Sequence, residues 1–81
     1  MHVRLFATAR AAVGRSHLEW PVSRDGIPAR DLVRALATAH APLRRYLGSC
    51  RFFVNGEPLR GMDERIRPGQ EFTIYPPYGG G

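Results

Sequence analysis

Residues 28–40 read Pro28-Ala29-Arg30-Asp31-Leu32-Val33-Arg34-Ala35-Leu36-Ala37-Thr38-Ala39-His40, and their periodicity is that of a helix. Leu32, Val33, Leu36 and Ala39 fall on one face, while Arg30, Arg34 and Thr38 recur every fourth residue on the other. Pro28 suits the first helical position because its missing N–H would have had no partner there. Ile27 is then a weak N-cap, and Pro42 stops the helix. A one-sided apolar stripe needs a second layer to cover it.

The sequence on both sides supplies strands. Towards the N-terminus, Val3, Leu5 and Ala7 alternate with His2, Arg4 and Phe6, which predicts a strand over 2–8. After a loop reading ARAAVGR, Leu18, Trp20 and Val22 alternate with His17, Glu19 and Pro21; the proline assigns this second strand to a sheet edge or to its own end. Towards the C-terminus, Phe52 and Val54 alternate with Arg51 and Phe53, and Asn55-Gly56 then marks a tight turn into a short strand around Leu59. Residues 61–70 read as a turn-rich connection, and 71–75 alternate again through Phe72 and Ile74. Two strands, a helix and three more strands describe the α+β class, a mixed sheet covered on one face by one main helix, with a β-grasp arrangement as the best fit. The boundaries are a domain over 1–75 and an extended tail over 76–81.

Composition narrows the function. A chain of 81 residues, 43% apolar and 23% charged, builds one core. It buries only about 60 to 65% of its unfolded surface, too little to enclose a catalytic cavity, so function belongs on the outside or at a chain end. No apolar run reaches the roughly 18 to 20 residues of a membrane span, and the start shows no signal-peptide pattern; a cytoplasmic protein without a membrane partner is expected. Cys50 is alone, and His2, His17 and His40 lack ligand spacing. On paired antiparallel strands His2 and His17 would sit near opposite ends, so no metal site is expected.

All 12 basic residues are arginines, against 7 acids. Residues 30–51 carry Arg30, Arg34, Arg44, Arg45 and Arg51 against Asp31 alone, which makes the middle of the chain its basic part. Such a patch suits a nucleic acid, an anionic metabolite or an acidic partner protein, and equally a solvated helix face.

Motifs for a nucleophile elbow, a P-loop, a dinucleotide site or a zinc site are missing. Asp63 and Glu64 fit an exposed turn, and Cys50, with no histidine near it in sequence, fits an inert thiol. The ending Pro76-Pro77-Tyr78-Gly79-Gly80-Gly81 is different. Six extended residues reach roughly 20 Å, enough to enter another protein's active site. The proline pair directs the exit, and Gly79, Gly80 and Gly81, without Cβ atoms, thread a narrow channel. A carboxylate is a poor electrophile, so acyl chemistry at Gly81 requires prior activation, such as adenylation by a partner that uses ATP. Composition alone fits a frayed end equally well.

The segments FATARAAVG (6–14), FFVNGE (52–57), IRPGQE (66–71) and EFTIY (71–75), with the Pro-Pro-x-x-Gly-Gly ending, resemble the small subunits of molybdopterin synthase, a family of ubiquitin-like sulfur carriers. The resemblance spans essentially the whole chain. It departs at Gly69-Gln70, where the loop usually reads Gly-Asp, and at the helix start, which lacks the frequent Thr cap. It implies a β-grasp fold with no bound cofactor. Gly81 would be adenylated by an E1-like adenylyltransferase that uses ATP and converted to a thiocarboxylate. Its sulfur would pass to the pterin precursor in the large synthase subunit, commonly in a heterotetramer. Phe6, Arg10, Leu59 and Tyr75 match family positions that resemble the partner-facing surface, with the tail residues Pro76, Pro77 and Tyr78 alongside.

Periodicity adds an independent expectation. If Val3, Leu5, Leu18, Trp20, Phe52, Val54, Phe72 and Ile74 face the helix, then Phe6, Phe53 and Tyr75 face away and form an apolar docking patch, joined by Leu59. Carriers for thiamine or cysteine synthesis share the fold and the ending. From other classes, a nucleic-acid module would use the aromatics and arginines for stacking but lacks its motifs, and a ubiquitin-like adaptor would dock without tail chemistry. The carrier reading carries no nucleic-acid partner.

Overall fold

The computed structural model describes residues 1–77. Its elements run β1 (His2–Leu5), α1 (Ala7–Val13), β2 (His17–Glu19), β3 (Ile27–Pro28), α2 (Ala29–Ala39), a 3₁₀ turn (Ala41–Leu43), α3 (Arg44–Leu47), β4 (Arg51–Val54), β5 (Glu57–Pro58), β6 (Arg65–Ile66) and β7 (Glu71–Tyr75). Five strands form one sheet in the order β2-β1-β7-β4-β5, and β3 pairs with β6 in a second, two-stranded sheet. Within the larger sheet β1 and β7 are parallel neighbours at the centre, and β2, β4 and β5 pair antiparallel outward from them.

Register converts the alternating sequence into rows. Leu18, Val3, Phe72 and Val54 lie side by side across four strands, and Leu5, Ile74 and Phe52 form the next row. Onto these rows α2 lays Ala29, Leu32 and Leu36, with Leu43 and Leu47 from the segment after it and Ile66 from β6; all belong to one buried cluster. Val33 is only half-buried and Ala39 is exposed, so the covered stripe of α2 is narrower than its sequence pattern. Each fully buried large side chain in such a core contributes about 1.5 to 3 kcal/mol relative to exposure. The β4–β5 hairpin turns through Asn55 (φ 50°) and Gly56 (φ 83°), the positive pair expected of a two-residue turn.

Five features depart from the sequence expectation, the first being the β3–β6 pair, which forms where the sequence reads as the helix start and as a turn-rich connection with too few residues per strand to show a period. The stretch read as the end of a strand and a loop is helix α1 over Ala7–Val13. The chain enters it through Ala7 at φ 50° and leaves through Gly14 at φ 85°, whose N–H donates to Arg10 O at 2.8 Å. Strand β2 ends at Glu19, so Trp20 and Val22 lie beyond it, although Trp20 still packs against the core. Between Pro42 and β4 the chain is helical again, a 3₁₀ turn running into α3. Finally, α2 begins at Ala29 behind Pro28, not behind Ile27, and no side chain caps it. Backbone carbonyls of the 61–66 connection do so instead: Ala29 N–H donates to Glu64 O at 2.8 Å and Arg30 N–H to Met62 O at 3.0 Å. That connection satisfies helix-end donors that would otherwise be orphaned.

Candidate functional site

The sheet face opposite α2 is built from the other half of each alternation. Arg4, Thr73, Phe53 and Pro58 stand in register across β1, β7, β4 and β5. Tyr75 pairs with Arg51 in the next row. Phe6 joins that row because its N–H donates to Ile74 O at 3.3 Å, which carries its ring to within 5.2 Å of the Tyr75 ring, tilted by 38°. The Arg4 guanidinium lies 5.1 Å from the Phe6 ring centroid, a cation–π contact. Thr73, at the centre, is only 8% exposed although no helix covers it, while Tyr75 is 46% exposed. The neighbouring side chains therefore form a platform in which aromatic rings alternate with Arg4 and Arg51, with Tyr75 at its rim.

The platform leads to the chain's exit. Pro76 is buried against the end of the sheet and Pro77 is exposed. Arg51, Phe53, Tyr75, Pro76 and Pro77 line an open groove of about 400 Å³ there. On the other side of Phe53 a second groove of about 360 Å³ runs to the β5 edge, lined chiefly by Arg51, Phe53, Pro58, Leu59 and Met62.

Of the residues singled out from sequence, Phe6, Phe53 and Tyr75 share this face, and Leu59 reaches it through the second groove while also packing against the core. Arg10 is exposed on α1, its N–H bonded to Phe6 O, so it stands one helical turn from the aromatic pair. Tyr78, Gly79, Gly80 and Gly81 lie outside the described residues. Arg51 was named only as part of the basic stretch; Arg4, Thr73 and Met62 were not singled out. Alternation alone places the first three on this face, whereas Met62 lies in an irregular connection that carries no periodic signal.

The other candidate groups separate from the platform. His2 and His17 sit at the two ends of the β1–β2 ladder, but that ladder is only three residues long, so the two histidines are diagonal neighbours with ring centroids 5.0 Å apart. His2 Nδ1 also lies 2.6 Å from Glu19 Oε1. Among the described residues no group of three or more His, Cys, Asp or Glu is arranged to hold a metal ion. Cys50 is half-buried, its thiol 3.1 Å from the Tyr46 carbonyl oxygen, and burial pushes its pKa up, which keeps it protonated and poorly nucleophilic. Asp63 is an ion-pair partner of Arg30. No helix among the described residues is long and apolar enough to cross a membrane.

The platform thus ends at the root of the Pro-Pro-Tyr-Gly-Gly-Gly segment. Residues 3–81 match the model of the ThiS family. The chain belongs to the ThiS family. A family relative, the molybdopterin synthase sulfur carrier subunit of Chlamydomonas reinhardtii, is 32% identical over 80 residues, covering 98% of this chain and 95% of the relative. Among solved structures, SAMP1 from Haloferax volcanii superposes with a TM-score of 0.83 at 28% identity, covering 100% of this chain and 98% of that one. A chain from the complex of subunits 1 and 2 of the molybdopterin-converting factor of Helicobacter pylori superposes with a TM-score of 0.68, covering 99% of this chain and 96% of that one. At 21% identity the latter likeness is one of fold. The chain has the ubiquitin-like β-grasp fold of these neighbours.

Proposed function

We propose that this chain is the sulfur-carrying small subunit of a molybdopterin synthase. The observation that carries the reading is its 32% identity, along 95% of the relative's length, to a molybdopterin synthase sulfur carrier subunit. The aromatic platform at the root of the Gly79-Gly80-Gly81 ending supports it, because a carrier must dock before its end can react.

The chemistry follows from the end group. A Gly81 carboxylate oxygen attacks the α-phosphorus of ATP held by an E1-like adenylyltransferase, and pyrophosphate leaves. Hydrosulfide then adds to the acyl carbon, AMP leaves with loss of the sulfur-borne proton, and the carboxylate has become a thiocarboxylate. The activated end enters the large synthase subunit, in a heterotetramer of two small and two large subunits, and gives its sulfur to the pterin precursor. The chain binds no cofactor in this scheme. Its part is to dock through Phe6, Phe53, Leu59 and Tyr75, with Arg10 beside them, and to deliver Gly81 through Pro76, Pro77 and Tyr78.

Intact mass tests the activation. Incubation with ATP, the activating enzyme and a sulfur donor should replace one oxygen by sulfur, and a chain extended beyond Gly81 should show no change, since its carboxylate has become an amide. A shift that persists with the extension uncleaved defeats the reading. The thiocarboxylated chain should then convert the pterin precursor with the large subunit; consumption only by thiazole-forming or cysteine-forming enzymes moves it to another carrier pathway.

A further inference from the structure

The sequence concentrates basic charge in residues 30–51, and the fold divides that stretch between two ends of the molecule. Arg30 pairs with Asp63, and Arg34 lies 3.9 Å from Asp31, at the end where α2 begins. Arg44, Arg45 and Arg51 lie at the other end, where β7 finishes: Arg51 opens β4 opposite Tyr75, and α3 immediately precedes it. Arg10 joins them from α1, which packs against both the 3₁₀ turn and β7. Arg15 does so as well, because Ser16 O accepts the N–H of Leu5 at the end of β1. All five are exposed, and among the described residues none has a carboxylate within ion-pair distance.

Six of the seven carboxylate side chains lie away from the exit. Glu19 and Glu71 flank His2, and Glu57 is paired with Val54 at the far tip of β4. Asp31 is in the first turn of α2, Asp63 pairs with Arg30 there, and Asp25 lies in the turn before β3. The seventh, Glu64, accepts the N–H of Arg60, which the β4–β5 register sets opposite Arg51. With Arg60 and Glu64 set against each other at that edge, the six remaining arginines and six remaining acids cancel, so the formal net charge of +5 resides where the chain leaves the sheet.

We propose that this arginine collar is a steering surface for an acidic rim around the mouth of the channel that accepts the chain's end. The inference rests on the carrier reading above. A positive collar at the exit and a charge-balanced far end, rich in carboxylates, orient the molecule in the field of an acidic rim, so that it approaches end-first. Such fields raise association rates by about 10- to 1000-fold and fall steeply with salt. With a radius of gyration of 11.5 Å, the molecule lies within one Debye length, about 30 Å, at 0.01 M salt.

The test compares two double charge reversals that alter net charge identically. Arg44→Glu with Arg45→Glu strikes the collar; Arg24→Glu with Arg67→Glu changes exposed residues at the far end. Association with the E1-like activating enzyme is followed by stopped flow at about 0.01 M and about 0.5 M salt. The collar variant should associate about tenfold more slowly at low salt, with an unchanged dissociation rate and a gap that closes at high salt; the far-end variant should stay near wild type. Equal slowing of both variants, slowing of neither, or an effect confined to dissociation overturns the proposal. Tight binding of a single-stranded oligonucleotide at physiological salt that the collar variant loses also overturns it, in favour of a nucleic-acid surface. Failure of the carrier reading is distinct: it appears as a wild-type chain that gains no sulfur at any salt concentration.

Discussion

The two faces of β1, β7 and β4 come from the same strands and differ in one respect, that α2 covers only one of them. On the covered face Val3, Phe72 and Ile74 are wholly buried, and their apolar side chains stabilise the fold. On the open face the residues between them include Phe6, Phe53 and Tyr75, apolar groups for which the described residues supply no second layer. Stability explains the first set. The second set needs another account: the Phe6 and Tyr75 rings lie 5.2 Å apart beside the exit groove, and the docking role proposed above would give such a surface its use.

Breaking the covered face should have the largest effect. Phe72→Ala leaves a cavity at the centre of the sheet and should cost about 3 to 5 kcal/mol in urea unfolding; a loss below about 1 kcal/mol would mean that this row is not the core. Tyr75→Ser should lower stability by no more than about 1 kcal/mol and weaken binding to the large synthase subunit by about 2 kcal/mol, measured by calorimetry, with Phe6→Ser behaving alike. Wild-type affinity in both variants would remove the docking role, and unfolding as severe as that of Phe72→Ala would erase the distinction between the faces.

The smallest effect concerns the open face at its β2 edge. The hydrogen bond with His2 holds the Glu19 carboxyl below the usual glutamate range. A carboxyl whose pKa is lowered on folding adds stability that is present above its unfolded pKa and lost as pH falls through the folded one. The stability gap between wild type and Glu19→Gln should therefore shrink from about pH 5 to about pH 2, by a small amount because Glu19 is exposed. A gap that widens on acidification would show that the contact does not favour the ionised carboxylate.

Legibility followed the range of the interactions. The strands around Val3, Phe52 and Phe72, the Asn55-Gly56 turn and the body of α2 were readable because each declares itself within a few residues. Helix α1 was not. Phe6 continues the β1 alternation, and only the positive φ at Ala7, the Gly14 terminus and packing on the 3₁₀ turn make seven residues helical, a length that is marginal in isolation. The short β3–β6 pair was equally hidden, since two residues per strand leave no period to detect. At the candidate site the aromatic residues were legible from alternation, whereas Met62, in an aperiodic connection, was not.

By itself the sequence determined which residues can be buried together, where the hairpin turns and that the chain ends in an unbranched glycine run, because side-chain chemistry and local backbone preference suffice for these. Tertiary structure alone decided the rest. The diagonal contact of His2 and His17 depends on a three-residue register. The gathering of Arg10, Arg15, Arg44, Arg45 and Arg51 at the exit depends on β7 running parallel to β1 and antiparallel to β4, which sends distant segments to the same end of the sheet. Strand direction is set by the packing of the whole domain, and no local pattern of residues encodes it.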